Sequence, residues 1–263
     1  MGHEGGRSAL LQSPARGPSA RRTPKTTRDF ATLPTAVPKD AAASAARTVD
    51  AALDTLACID LACRRGNRLL FKGVNLQVRA GQAVWLRGRN GRGKTSLLRL
   101  AAGLAVPESG QVSWGGVDVR RASVYASVRV YIGHANALKE DLTVTESLQF
   151  LARLHGRAHD VPSLHAALER VGMASRRDAL VRTLSQGQRR RAALARLALE
   201  RSAALWILDE PYDALDVDGI DAVNRLLHEN LARGGSVLLT SHLPPGAGAP
   251  DMAEFDLDRF APR

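Results

Sequence analysis

Gly88, Gly93, Lys94 and Thr95 satisfy the pattern GxxxxGK[ST], set in Gly88-Arg89-Asn90-Gly91-Arg92-Gly93-Lys94-Thr95-Ser96. Glycines at this spacing let backbone N–H groups turn inward around a polyanion. A helix starting just after them adds positive potential, and a lysine can neutralise the β- and γ-phosphates of a nucleotide. The Thr95 hydroxyl is a hard oxygen donor suited to Mg²⁺. A glycine-rich connection with a surface lysine is the bland alternative, and the flanks oppose it. Ala83-Val84-Trp85-Leu86 is an apolar run suited to a central strand, and Ser96 to Ala102 reads as helix. Arg89 and Arg92 add cations to the loop, although each also reads as a solvated side chain.

A second segment, Leu205-Trp206-Ile207-Leu208-Asp209-Glu210, is a buried strand ending in two adjacent carboxylates. Side chains alternate along a strand, so the two diverge. Asp209 then suits the hydration shell of Mg²⁺ and Glu210 suits polarising an attacking water, the division of labour in phosphoryl transfer. Taken alone, the same residues equally read as acids closing a strand.

Leu184-Ser185-Gln186-Gly187-Gln188 resembles the signature motif of the ATP-binding subunits of ABC transporters. Ala214-Leu215-Asp216 resembles their D-loop, and His242, after Leu238-Leu239-Thr240-Ser241, their switch histidine. The resemblance spans about residues 55–245. It implies an α/β fold, an ABC-type phosphate-loop nucleotide-binding domain with an antiparallel β subdomain and a helical subdomain at about 140–200. It also implies ATP and Mg²⁺ as cofactors, with Glu210 and His242 catalytic, and Thr95 and Asp209 on the metal. Nucleotide contacts would come from Gly88, Arg89, Asn90, Gly91, Arg92, Gly93, Lys94, Thr95, Ser96, His134, Ser185, Gly187, Gln188 and Asp216. Two copies would sandwich two nucleotides, Ser185 and Gly187 of one meeting the phosphate held by the other.

Tyr131-Ile132-Gly133-His134, Trp206-Ile207-Leu208-Asp209-Glu210-Pro211 and Leu215-Asp216-Val217-Asp218-Gly219-Ile220 look like the cytochrome c maturation branch of that family, the haem exporter ATP-binding subunits. This implies a peripheral subunit on the cytoplasmic face of a bacterial inner membrane, docked on a CcmB-type membrane protein with CcmC- and CcmD-type partners and no nucleic acid. An ABC transporter with another cargo, and a soluble ABC ATPase acting on nucleic acid or ribosomes, remain alternatives. Two positions depart from the general pattern. His134 stands where a glutamine is expected, and a neutral imidazole matches hard Mg²⁺ poorly, so it is read as coupling the site to its partner. Arg65 stands where an adenine-stacking aromatic often sits. A guanidinium plane can stack, and a solvated arginine fits equally.

The elements that must position these groups are legible in the hydrophobic pattern. Leu56, Ile59, Leu61, Leu69, Leu70, Val74, Leu76 and Val78 alternate with polar residues as half-buried antiparallel strands do, with Gly73 as punctuation. Val144, Leu148, Leu151 and Leu154 fall on one helical face, as do Leu164, Leu168 and Val171. An Arg-rich helix over 186–200, a strand over 205–208, a helix over 219–231 and a strand over 237–239 complete an α/β order. Arg189, Arg190 and Arg191 read as a solvated face, and His155 and His159, separated by Gly156, complete no metal site.

Residues 1–54 read as a disordered basic extension rich in proline and alanine, with too little apolar surface to offset ordering entropy. No apolar block there suits a secretory signal. Residues 55–263 read as the ATPase domain. The 263-residue chain carries 37 Lys and Arg against 26 Asp and Glu, a net charge of +11 that favours polyanions without choosing among them. Its apolar runs are too short to span a bilayer. Cys58 and Cys63 form no CxxC pattern and read as reduced structural thiols.

Overall fold

The computed structural model describes residues 55–242, 244 and 246–262, so the extension expected over 1–54 lies outside it. Two sheets carry the fold. The first is antiparallel, in the order β2-β1-β4-β5: β1 is Leu56–Arg65, β2 Arg68–Val78, β4 Ser109–Trp114 and β5 Val117–Asp118. The second is all-parallel, in the order β6-β7-β8-β3-β9: β3 is Ala83–Arg87, β6 Arg129–Ile132, β7 Leu205–Leu208, β8 Ser236–Thr240 and β9 Ala253–Asp256. Parallel strands buried on both faces read as continuous apolar runs, which is why β3, β7 and β8 stand out in the sequence. Their period of two survives in the packing. Trp206 and Leu208 enter the core shared with the helical region, and Leu205 and Ile207 enter the core between the two sheets.

The hairpin β1–β2 departs from simple alternation. Its register shifts between Cys58 and Leu61, where Asp60 adopts φ +49. The bulge keeps Cys58 and Leu61 both inward across an odd spacing and turns Ile59, expected inside, outward to 47% exposure. Gly73 does not end a strand: it lies within β2 at φ +74, facing the same bulge. Both cysteines are free and buried, and burial pushes the Cys58 thiol up to about 12, which leaves it inert.

Helix α1, Lys94–Ala101, follows β3 and buries Leu97, Leu98, Leu100 and Ala101. The helical region holds α2, Val144–Leu154, and α3, Val161–Arg170. Thr143 and Glu146 form a reciprocal capping box at the start of α2, and Asp160 caps α3. Leu154 breaks its expected face, being 66% exposed at the frayed end of α2. The helix expected over 186–200 is α4, Gln186–Leu194, continued as a 3₁₀ segment over Ala195–Leu199. Helix α5, Val217–Ala232, runs back to β8. The edge strands β6 and β9 escaped the sequence reading; Ala253–Asp256 has no buried residue and carries no apolar run, and Arg129–Ile132 is only four residues long.

Candidate functional site

The phosphate loop connects β3 to α1 at the carboxyl edge of the parallel sheet, where open α/β sheets bind ligands. Gly93 caps α1 at φ +105, a left-handed conformation in which an added Cβ would press on Leu70 and Phe71 at 3.1–3.2 Å. Only glycine satisfies both demands. Lys94 Nζ donates to the Gly88 carbonyl at 2.7 Å, so the ammonium lies across the loop it serves. Thr95 Oγ1 donates to Asp209 Oδ2 at 2.8 Å, joining α1 to the end of β7. A cleft of about 270 Å³ lies over these groups, and Asn90, Ser96, His134, Asp209, Glu210 and His242 also line it, with Arg65 and Leu70 beside the loop.

Asp209 and Glu210 diverge as expected, and a third residue bonds to both. Thr240, fully buried at the end of β8, donates from Oγ1 to Asp209 Oδ1 at 2.8 Å and accepts the Glu210 N–H at 2.9 Å. Glu210 sits at φ +51, unusual for a long side chain. Its Oε2 accepts the His242 backbone N–H at 2.8 Å, and His242 Nε2 stands 3.7 Å from Oε1. The largely exposed imidazole and the buried carboxylate thus face the same cleft. The adjoining Thr95 hydroxyl and Asp209 carboxylate supply two hard oxygens, and no group of three His, Cys, Asp or Glu among the described residues is placed to hold a metal ion by itself. This set fits Mg²⁺, which keeps several waters and takes further oxygens from substrate phosphates.

The signature residues stand elsewhere. Ser185 caps α4, its Oγ accepting the Gln188 N–H at 3.3 Å while its own N–H donates to Gln188 Oε1 at 3.1 Å. Gly187 admits no Cβ, which would lie 2.5 Å from the Ala214 carbonyl of the D-loop. Asp216 caps α5 through the Gly219 N–H at 3.0 Å and pairs with Arg191, whose hydrogen bond holds its carboxyl below the usual range. Ser185, Gly187, Gln188 and Asp216 line a separate cleft of about 550 Å³ that shares no residue with the first. One chain therefore brings together the phosphate loop, His134, Asp209, Glu210 and His242, and leaves the signature set apart.

Residues 71–213 match the model of the ABC transporter family. The cytochrome c biogenesis ATP-binding export protein CcmA of Nitrosomonas europaea is 44% identical over 191 residues, which cover 72% of this chain and 89% of that protein. Its counterpart from Methylococcus capsulatus is 49% identical over 184 residues, covering 69% and 88%. This chain belongs to the CcmA family of ABC transporter ATP-binding proteins. A solved ABC transporter ATP-binding protein from Pyrococcus furiosus shares the fold with a TM-score of 0.67 at 23% identity, over 80% of this chain and 100% of its own. The ATP-binding subunit of another solved ABC transporter gives a TM-score of 0.64 at 27% identity, over 72% and 79%.

Within this CcmA-family site the structure corrects two readings and adds three residues. Arg92 is not a free solvated cation, because its Nε donates to Asp258 Oδ1 at 2.8 Å, facing away from the cleft. Asp258 Oδ2 also accepts the Arg89 N–H at 3.0 Å, so a residue near the C-terminus braces the outer side of the phosphate loop. Burial raises the Asp258 carboxyl, but the bonds and charges of Arg92 and Arg89 more than offset this and hold it below its ordinary value. Arg190, expected on a solvated face, is 3% exposed and reaches the backbone of Asp209 and Glu210. Thr240 is the third addition. It stands at the end of an apolar strand, but only the pairing of β8 with β7 sets it level with the two carboxylates. Arg190 carried no signal of its own, flanked as it is by two arginines of the same type, and Asp258 lies far along the chain from the loop it braces.

Proposed function

We propose that this chain is the ATP-hydrolysing subunit of an ABC export complex serving cytochrome c biogenesis, working as a homodimer in haem handling. It would sit peripherally on the cytoplasmic face of the inner membrane, on a CcmB-type membrane protein with CcmC- and CcmD-type partners. Residues 55–263 act as one ATPase domain with its helical subdomain at about 140–200. No helix among the described residues is long and apolar enough to cross a membrane.

The observation that carries this reading is Glu210, a buried carboxylate fixed by the His242 N–H and facing the same cleft as Lys94 and Thr95. Lys94 releases the Gly88 carbonyl and binds the β- and γ-phosphates, while Gly88 to Ser96 turn their N–H groups and the α1 N-terminus toward them. Thr95 and Asp209 hold Mg²⁺, which screens the charge on the phosphate oxygens. Glu210 takes a proton from the attacking water as its oxygen bonds to the γ-phosphorus and the bridging P–O bond breaks, releasing ADP. His242 contacts the γ-phosphate. Ser185, Gly187, Gln188 and Asp216, which line their own cleft, complete the site of the second copy, which explains why one chain separates the two sets. His134 relays the state of the cleft to the membrane partner.

In the test, Lys94→Ala weakens MgATP binding. Glu210→Gln retains binding but loses turnover by on the order of 10²–10⁴-fold, as removal of a general base does, and accumulates a nucleotide-bound dimer in gel filtration. Hydrolysis by Glu210→Gln at the wild-type rate would remove Glu210 from this role.

A further inference from the structure

Helix α4 carries three successive arginines, and their environments differ. Arg189 reaches the Glu140 carboxylate and the Arg182 carbonyl at the surface, and Arg191 pairs with Asp216. Arg190 points inward, with four acceptors arranged around its guanidinium. Nη1 donates to the Gly133 carbonyl at 3.0 Å and to Asn136 Oδ1 at 3.1 Å. Nη2 donates to the Asp209 carbonyl at 2.6 Å and to the Glu210 carbonyl at 2.8 Å. One side chain thus joins three segments: the helix whose N-terminus carries Ser185 and Gly187, the turn flanking His134, and the turn that presents both carboxylates.

The chemistry of these acceptors is informative. Two are backbone carbonyls of the residues whose side chains face the cleft, on either side of the left-handed φ of Glu210. Thr240 restrains the same turn from its amide side. A planar, permanently charged fork can serve both segments in one plane, whereas the ammonium of lysine has three donors radiating from one atom and cannot. A displacement of α4 is therefore transmitted through one side chain to the backbone that aims Glu210.

We propose that Arg190 is a positioning residue for hydrolysis: it aims Glu210 by holding its backbone turn and ties that aim to the signature helix and the His134 segment. This rests on the reading of Glu210 as the base.

The test uses the full-length chain with MgATP and four variants: Arg190→Lys, Arg190→Gln, Glu210→Gln, and Arg190→Lys combined with Glu210→Gln. Folding is followed by circular dichroism and thermal unfolding, and turnover by steady-state and single-turnover hydrolysis. Arg190→Lys and Arg190→Gln are expected to leave the KM for ATP within about threefold and to lower kcat by on the order of 10²-fold, the scale of a 1 Å misplacement of a reacting group. In the Glu210→Gln background, Arg190→Lys should change residual turnover by less than about twofold, because the group it aims is gone. Unchanged kcat in both single Arg190 variants would overturn the inference. So would the same proportional loss with and without Glu210, or failure of both variants to fold, since either makes Arg190 a requirement of the fold alone. If Glu210→Gln turns over at the wild-type rate, the reading of the site itself fails. If Glu210→Gln is inactive while Arg190→Lys and Arg190→Gln are both fully active, only the role of Arg190 fails.

Discussion

Replacing Thr240 by valine removes one hydroxyl and almost no volume, so its effect isolates two hydrogen bonds. The Thr240 hydroxyl is fully buried, donates to Asp209 Oδ1 at 2.8 Å and accepts the Glu210 N–H at 2.9 Å. Valine leaves a buried N–H and one oxygen of a buried carboxylate without these partners. An unsatisfied buried group costs about 1–3 kcal/mol, with the charged acceptor toward the upper end. Burial of the extra methyl offsets about 1 kcal/mol of this, giving a net loss of roughly 2–4 kcal/mol. For a domain of this size each kcal/mol lowers Tm by about 2–4 °C, so Thr240→Val should melt roughly 5–15 °C below the wild type. Thr240→Ser keeps the hydroxyl and loses one methyl, at a cost of about 1 kcal/mol. Thermal unfolding by circular dichroism, run beside an ATPase assay, separates the two: valine should lower both Tm and kcat, whereas serine should keep most of the turnover. A valine variant that melts within 2 °C of the wild type and hydrolyses ATP normally would refute the argument that this hydroxyl fixes the Asp209 carboxylate and the Glu210 backbone.

Asp258→Asn breaks the Arg92 ion pair and weakens the hold on the Arg89 N–H. Because the pair is partly exposed, stability should change by less than about 1 kcal/mol, while the KM for ATP rises several-fold with kcat nearly constant. The Asp258 carboxyl is depressed in the fold. Its contribution is therefore present above the ordinary carboxylate value near 4 and is lost only as pH falls through the lower folded value. The ratio of ATP affinities of wild type and Asp258→Asn should stay constant from pH 5 to 8, and a midpoint of that ratio inside the window would contradict the assignment. Gly187→Ala drives a Cβ to 2.5 Å from the Ala214 carbonyl. It should abolish turnover and nucleotide-dependent dimerisation while leaving ATP binding by the single chain intact, as judged by titration and gel filtration.

How much of this was legible beforehand depends on where the partners lie along the chain. The phosphate loop, α1 and the strand carrying Asp209 and Glu210 are local: a buried apolar run, a glycine turn and a helix start follow one another within a few residues, and their chemistry is written in their types. The edge strand β9 was invisible because its pairing with β3 comes from the sheet and not from its own sequence, which carries no apolar run. The solvated reading of Arg190 followed composition, which places runs of arginine at the surface. The fold reverses it because four oxygen acceptors converge on one position of α4.

Residue types and short spacings alone determined the α/β order and pointed to polyanion chemistry with two roles for two neighbouring carboxylates, since each depends on side chains a few bonds or one turn apart. Only the tertiary structure decided which polar groups hold that chemistry in place. Thr240, Arg190 and Asp258 come from distant parts of the chain, and a hydrogen bond is set by the separation of atoms in space, to which spacing along the sequence gives no guide once the chain has folded back on itself.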